Sequence, residues 1–178
     1  MHTPDDAATD AHDAAARAAL HDRVVRRPLR RLLTLTAVTG ALSALGTAGV
    51  LALQGAPGYA RAVLEARSWG QAAVTDGDVA SFLTPPWGVP AAVLGVLAVA
   101  ALLMLGVIRR VRAVRPVGTV AVGLGLLSAA FWMVDGGRMV AAGGAGPLVL
   151  AAVVAMFLAC AVWLLTAHLR ATRDAFDG

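Results

Sequence analysis

Residues 89–108 read VPAAVLGVLAVAALLMLGVI, twenty positions without one polar side chain, and residues 109–115 that follow read RRVRAVR. About 20 predominantly apolar residues suffice to cross the hydrocarbon core of a bilayer as a helix. In hydrocarbon only a helix or a closed barrel satisfies its backbone groups, and a barrel strand would alternate apolar with polar positions rather than run continuously. The stretch therefore predicts a transmembrane helix, and one with no polar group lines no aqueous path.

Working outward, the charges divide the rest of the chain in the same way. Twenty-nine uncharged residues separate Arg31 from Arg61, 30 separate Asp78 from Arg109, 19 separate Arg115 from Asp135, and 29 separate Arg138 from His168. Four spans are expected, near 32–53, 89–108, 117–134 and 147–167. The fold class is an all-α integral membrane protein, a four-transmembrane-helix bundle over residues 32–168. A polar tail precedes it at 1–31, without the apolar content to fold alone, and a short tail follows at 169–178. Composition agrees: 58% of the 178 residues are hydrophobic and 15% charged, with a mean hydropathy of +0.73. Soluble domains carry about 45–50% and about 25%.

All 15 basic residues are arginine, and the abundance of Ala, Val, Leu, Gly and Arg matches the codon supply of a GC-rich, bacterial genome. A pI near 10.9 would suggest nucleic acid in a soluble protein. Here the arginines flank apolar runs, so orientation accounts for them and no nucleic-acid partner is expected. Arg17, Arg23, Arg26, Arg27, Arg30 and Arg31 precede the first span, Arg109, Arg110, Arg112 and Arg115 join the second to the third, and Arg170 and Arg173 follow the fourth. Only Arg61, Arg67 and Arg138 fall on the other side. Basic residues stay in the cytoplasm, so both termini are expected there, in the plasma membrane, with Arg26, Arg27, Arg30, Arg31 and the RRVRAVR link contacting lipid. The tryptophans are expected at the interfaces, Trp69, Trp87 and Trp132 at the outer and Trp163 at the inner.

The segment SAAFWMVDGGRMVAAGG at 128–144 places Asp135 and Arg138 between two apolar runs. At 1.5 Å per residue Asp135 falls ~30 Å from Arg115, at the edge of the core. Gly136 and Gly137 are expected to end the helix, leaving Asp135 and Arg138 in an interfacial turn as a solvated ion pair. The alternative makes Asp135, with Ser128, a proton or cation site facing the other helices.

Small residues share faces on three spans: Gly118, Ala121, Gly125 and Ser128 on the third, Thr39, Ser43 and Thr47 on the first, and Ala151, Ala155 and Ala159 on the fourth. Such faces let helices approach closely. The functional alternative is a polar track from Thr39 through Ser128 to Asp135.

In the first outer loop, residues 55–88, Tyr59, Ala62, Val63, Ala66, Trp69 and Ala73 recur at helical spacing, with Arg61 and Glu65 paired on the opposite side. This predicts a short amphipathic helix, either lying on the outer membrane surface or packed on the bundle's outer end. TDGDV at 75–79 lacks the ligands of a calcium loop and reads as a turn, with Asp78 capping a short helix.

Arg26 and Arg27 before an apolar run resemble a twin-arginine export signal. The run exceeds the ~7–15 residues of a signal peptide's apolar region, so the first helix is expected to be retained. Phosphate loops, H-E-x-x-H and G-x-S-x-G are absent from the sequence, and Cys160 is a lone cysteine within an apolar run. No catalytic residue, cofactor or metal ligand is expected. The expected function is an accessory, scaffolding or assembly subunit that binds other membrane helices in a homo-oligomer or hetero-complex. A small oligomeric transporter or channel, and a regulator acting through its basic link, are the alternatives.

Overall fold

The computed structural model describes residues 16, 20, 26–68, 73–83, 87–141 and 143–177. Trp69, Arg17, Arg23 and nearly all of the tail before Arg26 lie outside the described residues. The described chain is helical without strands. It comprises α1 (Arg27–Gln54), α2 (Pro57–Ser68), α3 (Asp76–Phe82), α4 (Gly88–Ile108), α5 (Val114–Val134), α6 (Gly136–Ala141), α7 (Gly146–His168) and α8 (Arg170–Asp177).

Four of these, α1, α4, α5 and α7, are long and apolar enough to cross a membrane. Their outward surfaces suit lipid: Leu102, Phe131, Leu148 and Leu165 are 68%, 70%, 74% and 71% exposed. Exposed apolar surface on that scale marks a membrane-facing or binding surface, and the chain is a multi-pass membrane protein by this criterion. α1 and α7 each carry a proline in the first turn, where the missing N–H would have no partner in any case.

α1 is the central element. It packs antiparallel against α4 on one side and α7 on the other, and α5 packs against α7. The approach of α1 to α4 depends on Gly40, where a Cβ would lie 2.5 Å from that of Ala100. Met156 and Val149 of α7 seat on Gly46 and Gly49 of α1. α4 and α5 meet chiefly near their link, where Val114 fills the space above Gly106 and Leu103 reaches Gly118.

α4 ends in a Schellman motif. Val111 N–H donates to the Gly106 carbonyl at 2.9 Å and Arg110 N–H to that of Val107 at 3.1 Å. Arg110 holds the left-handed conformation, φ 52°, that the motif requires and glycine usually supplies.

The end of the molecule holding this link is closed by α8, which packs on α1 and α7. Thr172, Ala175 and Phe176 are buried, and the Thr172 hydroxyl donates to the Thr166 carbonyl at 2.9 Å. Arg115 Nε donates to the Ala167 carbonyl at 3.3 Å, fastening α5 to α7. The segment expected as a short tail at 169–178 forms this packed helix.

At the opposite end α2 buries Tyr59, Ala60 and Val63. Arg61 pairs with Asp76 of α3 rather than with Glu65. The cap of α3 is Thr75, not Asp78: Thr75 N–H donates to Asp78 Oδ2 at 2.9 Å and Asp78 N–H to Thr75 Oγ1 at 3.3 Å, a reciprocal capping box. α5 ends at Val134, just before Gly136 and Gly137, but neither glycine takes the left-handed conformation of a cap, and a new helix begins at once. The chain bends at Asp135 (φ −86°, ψ 7°) and its carbonyl at once accepts from Arg138 and Met139 N–H, starting α6. Among the described residues the left-handed glycines are Gly143 and Gly144.

Candidate ligand cavity

Because α1 separates α4 from α7 while α4 and α5 touch only near their link, the four long helices do not close on one another. Between them lies a cavity of about 480 Å³. Its floor is the hydroxyl face of α1, with Thr36, Thr39, Gly40, Ser43 and Thr47. α4 supplies a wall without a heteroatom on any side chain, from Ala92 and Gly95 through Val99 to Leu103. α5 supplies Ala121, Val122, Leu124, Gly125, Ser128 and Trp132, and α7 contributes Met156, Cys160 and Trp163. Val99 and Leu124 both line the cavity and remain exposed, 45% and 60%. Val99 of α4 and Leu124 of α5 thus stay accessible where contact between these two helices is sparse.

Trp163 closes the cavity toward the link. It is fully buried, so it is a core residue and not the interfacial anchor its position suggests. Its indole Nε1–H donates to Thr36 Oγ1 at 2.8 Å, and the Thr36 hydroxyl donates onward to the Leu32 carbonyl at 2.8 Å. The ring edge lies over Gly118: a Cβ there would sit 2.5 Å from Cη2. Next along α1, Thr39 Oγ1 donates across to the Ala159 carbonyl at 3.3 Å, and Ser43 Oγ lies 4.0 Å from Cys160 Sγ.

The three small-residue faces therefore fare differently. Thr39, Ser43 and Thr47 face the cavity together with Ala121, Gly125 and Ser128, while Gly118 is packed beneath Trp163. On α7 the buried positions are Gly146, Val149, Val153, Met156, Cys160, Trp163 and Ala167; Ala151 is exposed, and Ala155 and Ala159 are half-buried.

Asp135 and Arg138 are not part of the lining. Arg138 Nη1 donates to Asp135 Oδ1 at 2.7 Å, and the side chains are 44% and 36% exposed. Pairs this open to solvent contribute little to stability. They lie beside Tyr59, whose phenol is pushed above its ordinary value by burial first and by the Asp135 carboxylate second. Of the arginines expected to contact lipid, Arg26, Arg27, Arg30, Arg31, Arg109, Arg110 and Arg112 are exposed, while Arg115 is half-buried. Among the described residues no group of His, Cys, Asp or Glu could hold a metal ion.

In chemical terms, the cavity offers apolar contact on all sides, hydroxyls along one side, and no charge among its lining residues. Its size falls within the ~300–1,000 Å³ of small-molecule sites. Comparison of the chain with protein-family models, with curated proteins and with solved structures returns no match.

Proposed function

We propose that the chain is a four-transmembrane-helix bundle of the plasma membrane, with both termini cytoplasmic and no enzymatic activity. In this reading it is a binding subunit that admits an apolar molecule sideways from the bilayer between α4 and α5. The orientation rests on the arginine asymmetry. α2 then covers the outer end and α8 the cytoplasmic end. The single observation that carries the binding reading is the cavity with its uncharged lining, of which Val99 of α4 and Leu124 of α5 remain exposed.

An accessory role in a larger membrane complex fits the same geometry, because a holder of lipid-soluble molecules needs a partner to deliver them to. Ion transport through Asp135 has less support, since that residue is paired at the surface away from the cavity.

Gly95 provides the test. It lines the cavity, and a Cβ there would meet nothing within 4 Å, so Gly95→Phe fills the space without a clash at its base. Native mass spectrometry of the full chain released from its own membrane in mild detergent should show a lipid-sized adduct on the wild type and none on Gly95→Phe. An adduct unaffected by the plug, or a polypeptide held in its place, defeats the pocket reading.

A further inference from the structure

The hydroxyls of the long helices fall into two sets. Most are satisfied by the chain itself, as membrane helices require where no water is present. Thr34 donates to the Arg30 carbonyl at 3.1 Å, Thr119 to that of Arg115 at 2.8 Å, and Thr166 to that of Val162 at 2.8 Å. Thr36 and Thr39 are engaged as described above. Thr47 and Ser128 are different. Both face the cavity, and neither has a hydrogen-bond partner among the described residues.

Their position is also particular. Thr47 lies in the last third of α1 and Ser128 in the last third of α5, so both belong to the half of the cavity remote from the link. Leu103 and Trp163 close the other half, where Trp163 and Thr36 have already used their polar groups on each other. The cavity is polar at one end and apolar at the other. Neither hydroxyl is sealed inside the protein, Ser128 being exposed and Thr47 half-buried, so both are open to an incoming molecule. In a bilayer an unpartnered hydroxyl is costly, and a ligand that supplies the partner recovers that cost.

We propose that the cavity accepts an uncharged amphiphile. One hydrocarbon chain lies toward Trp163, and an alcohol, ester or ketone end hydrogen-bonds to Thr47 and Ser128. This assignment rests on the pocket reading and adds to it the ligand's class and direction. Charge is excluded by the lining, which offers no counter-ion to a buried phosphate, carboxylate or ammonium group.

The test uses the full chain in nanodiscs of zwitterionic phospholipid. A brominated monoacylglycerol and a brominated alkane of equal chain length are titrated separately, and quenching of Trp132 and Trp163, both in the lining, reports entry. The wild type should reach half-quenching at a mole fraction roughly three- to tenfold lower with the monoacylglycerol. Thr47→Val combined with Ser128→Ala should abolish that preference while leaving the alkane curve in place. Equal half-quenching of the wild type by the two probes overturns the proposal, as does a preference that survives in the double variant. So does a brominated fatty acid carboxylate that outperforms both. Gly95→Phe keeps the two readings apart. If it leaves quenching by either probe unchanged, the pocket itself is refuted; if it abolishes quenching by probes that the wild type does not distinguish, only the polar-end assignment fails.

Discussion

Gly118 and Gly123 lie on the same helix and differ in one respect, which makes them a test of the packing. A Cβ on Gly118 would stand 2.5 Å from Trp163 Cη2 and 3.1 Å from Cζ2, whereas one on Gly123 would meet nothing within 4 Å. Carbon atoms rest at about 3.5–4.0 Å from one another, so Gly118→Ala asks the indole to retreat by about 1 Å. The ring is fully buried and tethered by its 2.8 Å hydrogen bond to Thr36. Retreat stretches that bond or displaces α7 from α1. Overpacking of this kind costs about 1–3 kcal/mol. Both substitutions gain the same helix propensity of about 0.8–1 kcal/mol for alanine over glycine, so the difference between them isolates the clash. We expect Gly123→Ala to equal or exceed the wild type, and Gly118→Ala to fall below Gly123→Ala by about 1–3 kcal/mol. The assay is equilibrium unfolding by SDS in mixed bicelles, followed by tryptophan fluorescence. Trp163→Phe removes the offending ring atoms, so in that background the two alanine variants should converge. If Gly118→Ala is as stable as Gly123→Ala in the wild-type background, the placement of α5 against Trp163 is wrong.

Three further outcomes follow from single contacts. Arg110 occupies the left-handed position of the Schellman motif ending α4, so Arg110→Gly should stabilise the chain by about 1 kcal/mol in the same titration, and Arg110→Ala should not. Thr36→Val leaves the indole N–H of Trp163 without its acceptor and should cost about 1–2 kcal/mol, whereas Thr36→Ser should cost less than half as much. At the opposite end, the Asp78 carboxyl is held below its ordinary value by hydrogen bonds from the Thr75 hydroxyl and N–H. A depressed acid stabilises the folded form above its unfolded-state value and loses that contribution as pH falls through the folded one. Amide protection at Asp78 and Val79 should therefore hold at neutral pH and decline on acidification below about 4, and Thr75→Ala should remove that pH dependence.

The helices were legible because hydropathy is local: each long apolar run is its own evidence for a span. Which faces meet is relational, and there the sequence says less. Small residues recur at helical spacing on α1, α5 and α7, yet these faces are not simply matched to one another, although Gly40 of α1 does meet Ala100 of α4. Against α7 the structure sets large on small, with Met156 over Gly46 of α1 and Trp163 over Gly118 of α5. Trp163 reads as an interfacial anchor because the hydroxyl that satisfies it, Thr36, lies 127 positions away. The burial of α8 left a faint trace, since Thr172, Ala175 and Phe176 fall three and four apart as one helical face requires, but the segment is short and otherwise polar. Of the cavity, only one wall could be read in advance. Thr39, Ser43 and Thr47 mark a polar side of α1, while the gap they face arises from how α4 and α5 diverge.

The helix with no polar side chain is what gives that gap its character. Had α4 carried even two or three hydroxyls or a charge opposite α1, the cavity could hold a chain of waters, and ion or proton passage would follow naturally. A space with one wholly apolar wall offers a water too few of the 2–4 polar partners it needs. Thr36 and Thr39 reinforce this by donating to carbonyls of the protein. Thr47, Ser128 and the indole N–H of Trp132, which have no hydrogen-bond partner among the described residues, remain to hold a polar group, all in the half remote from the link. An α4 without polarity and an α1 that spends most of its own on the protein leave room for a molecule that is mostly hydrocarbon, polar at one end, and already dissolved in the surrounding lipid.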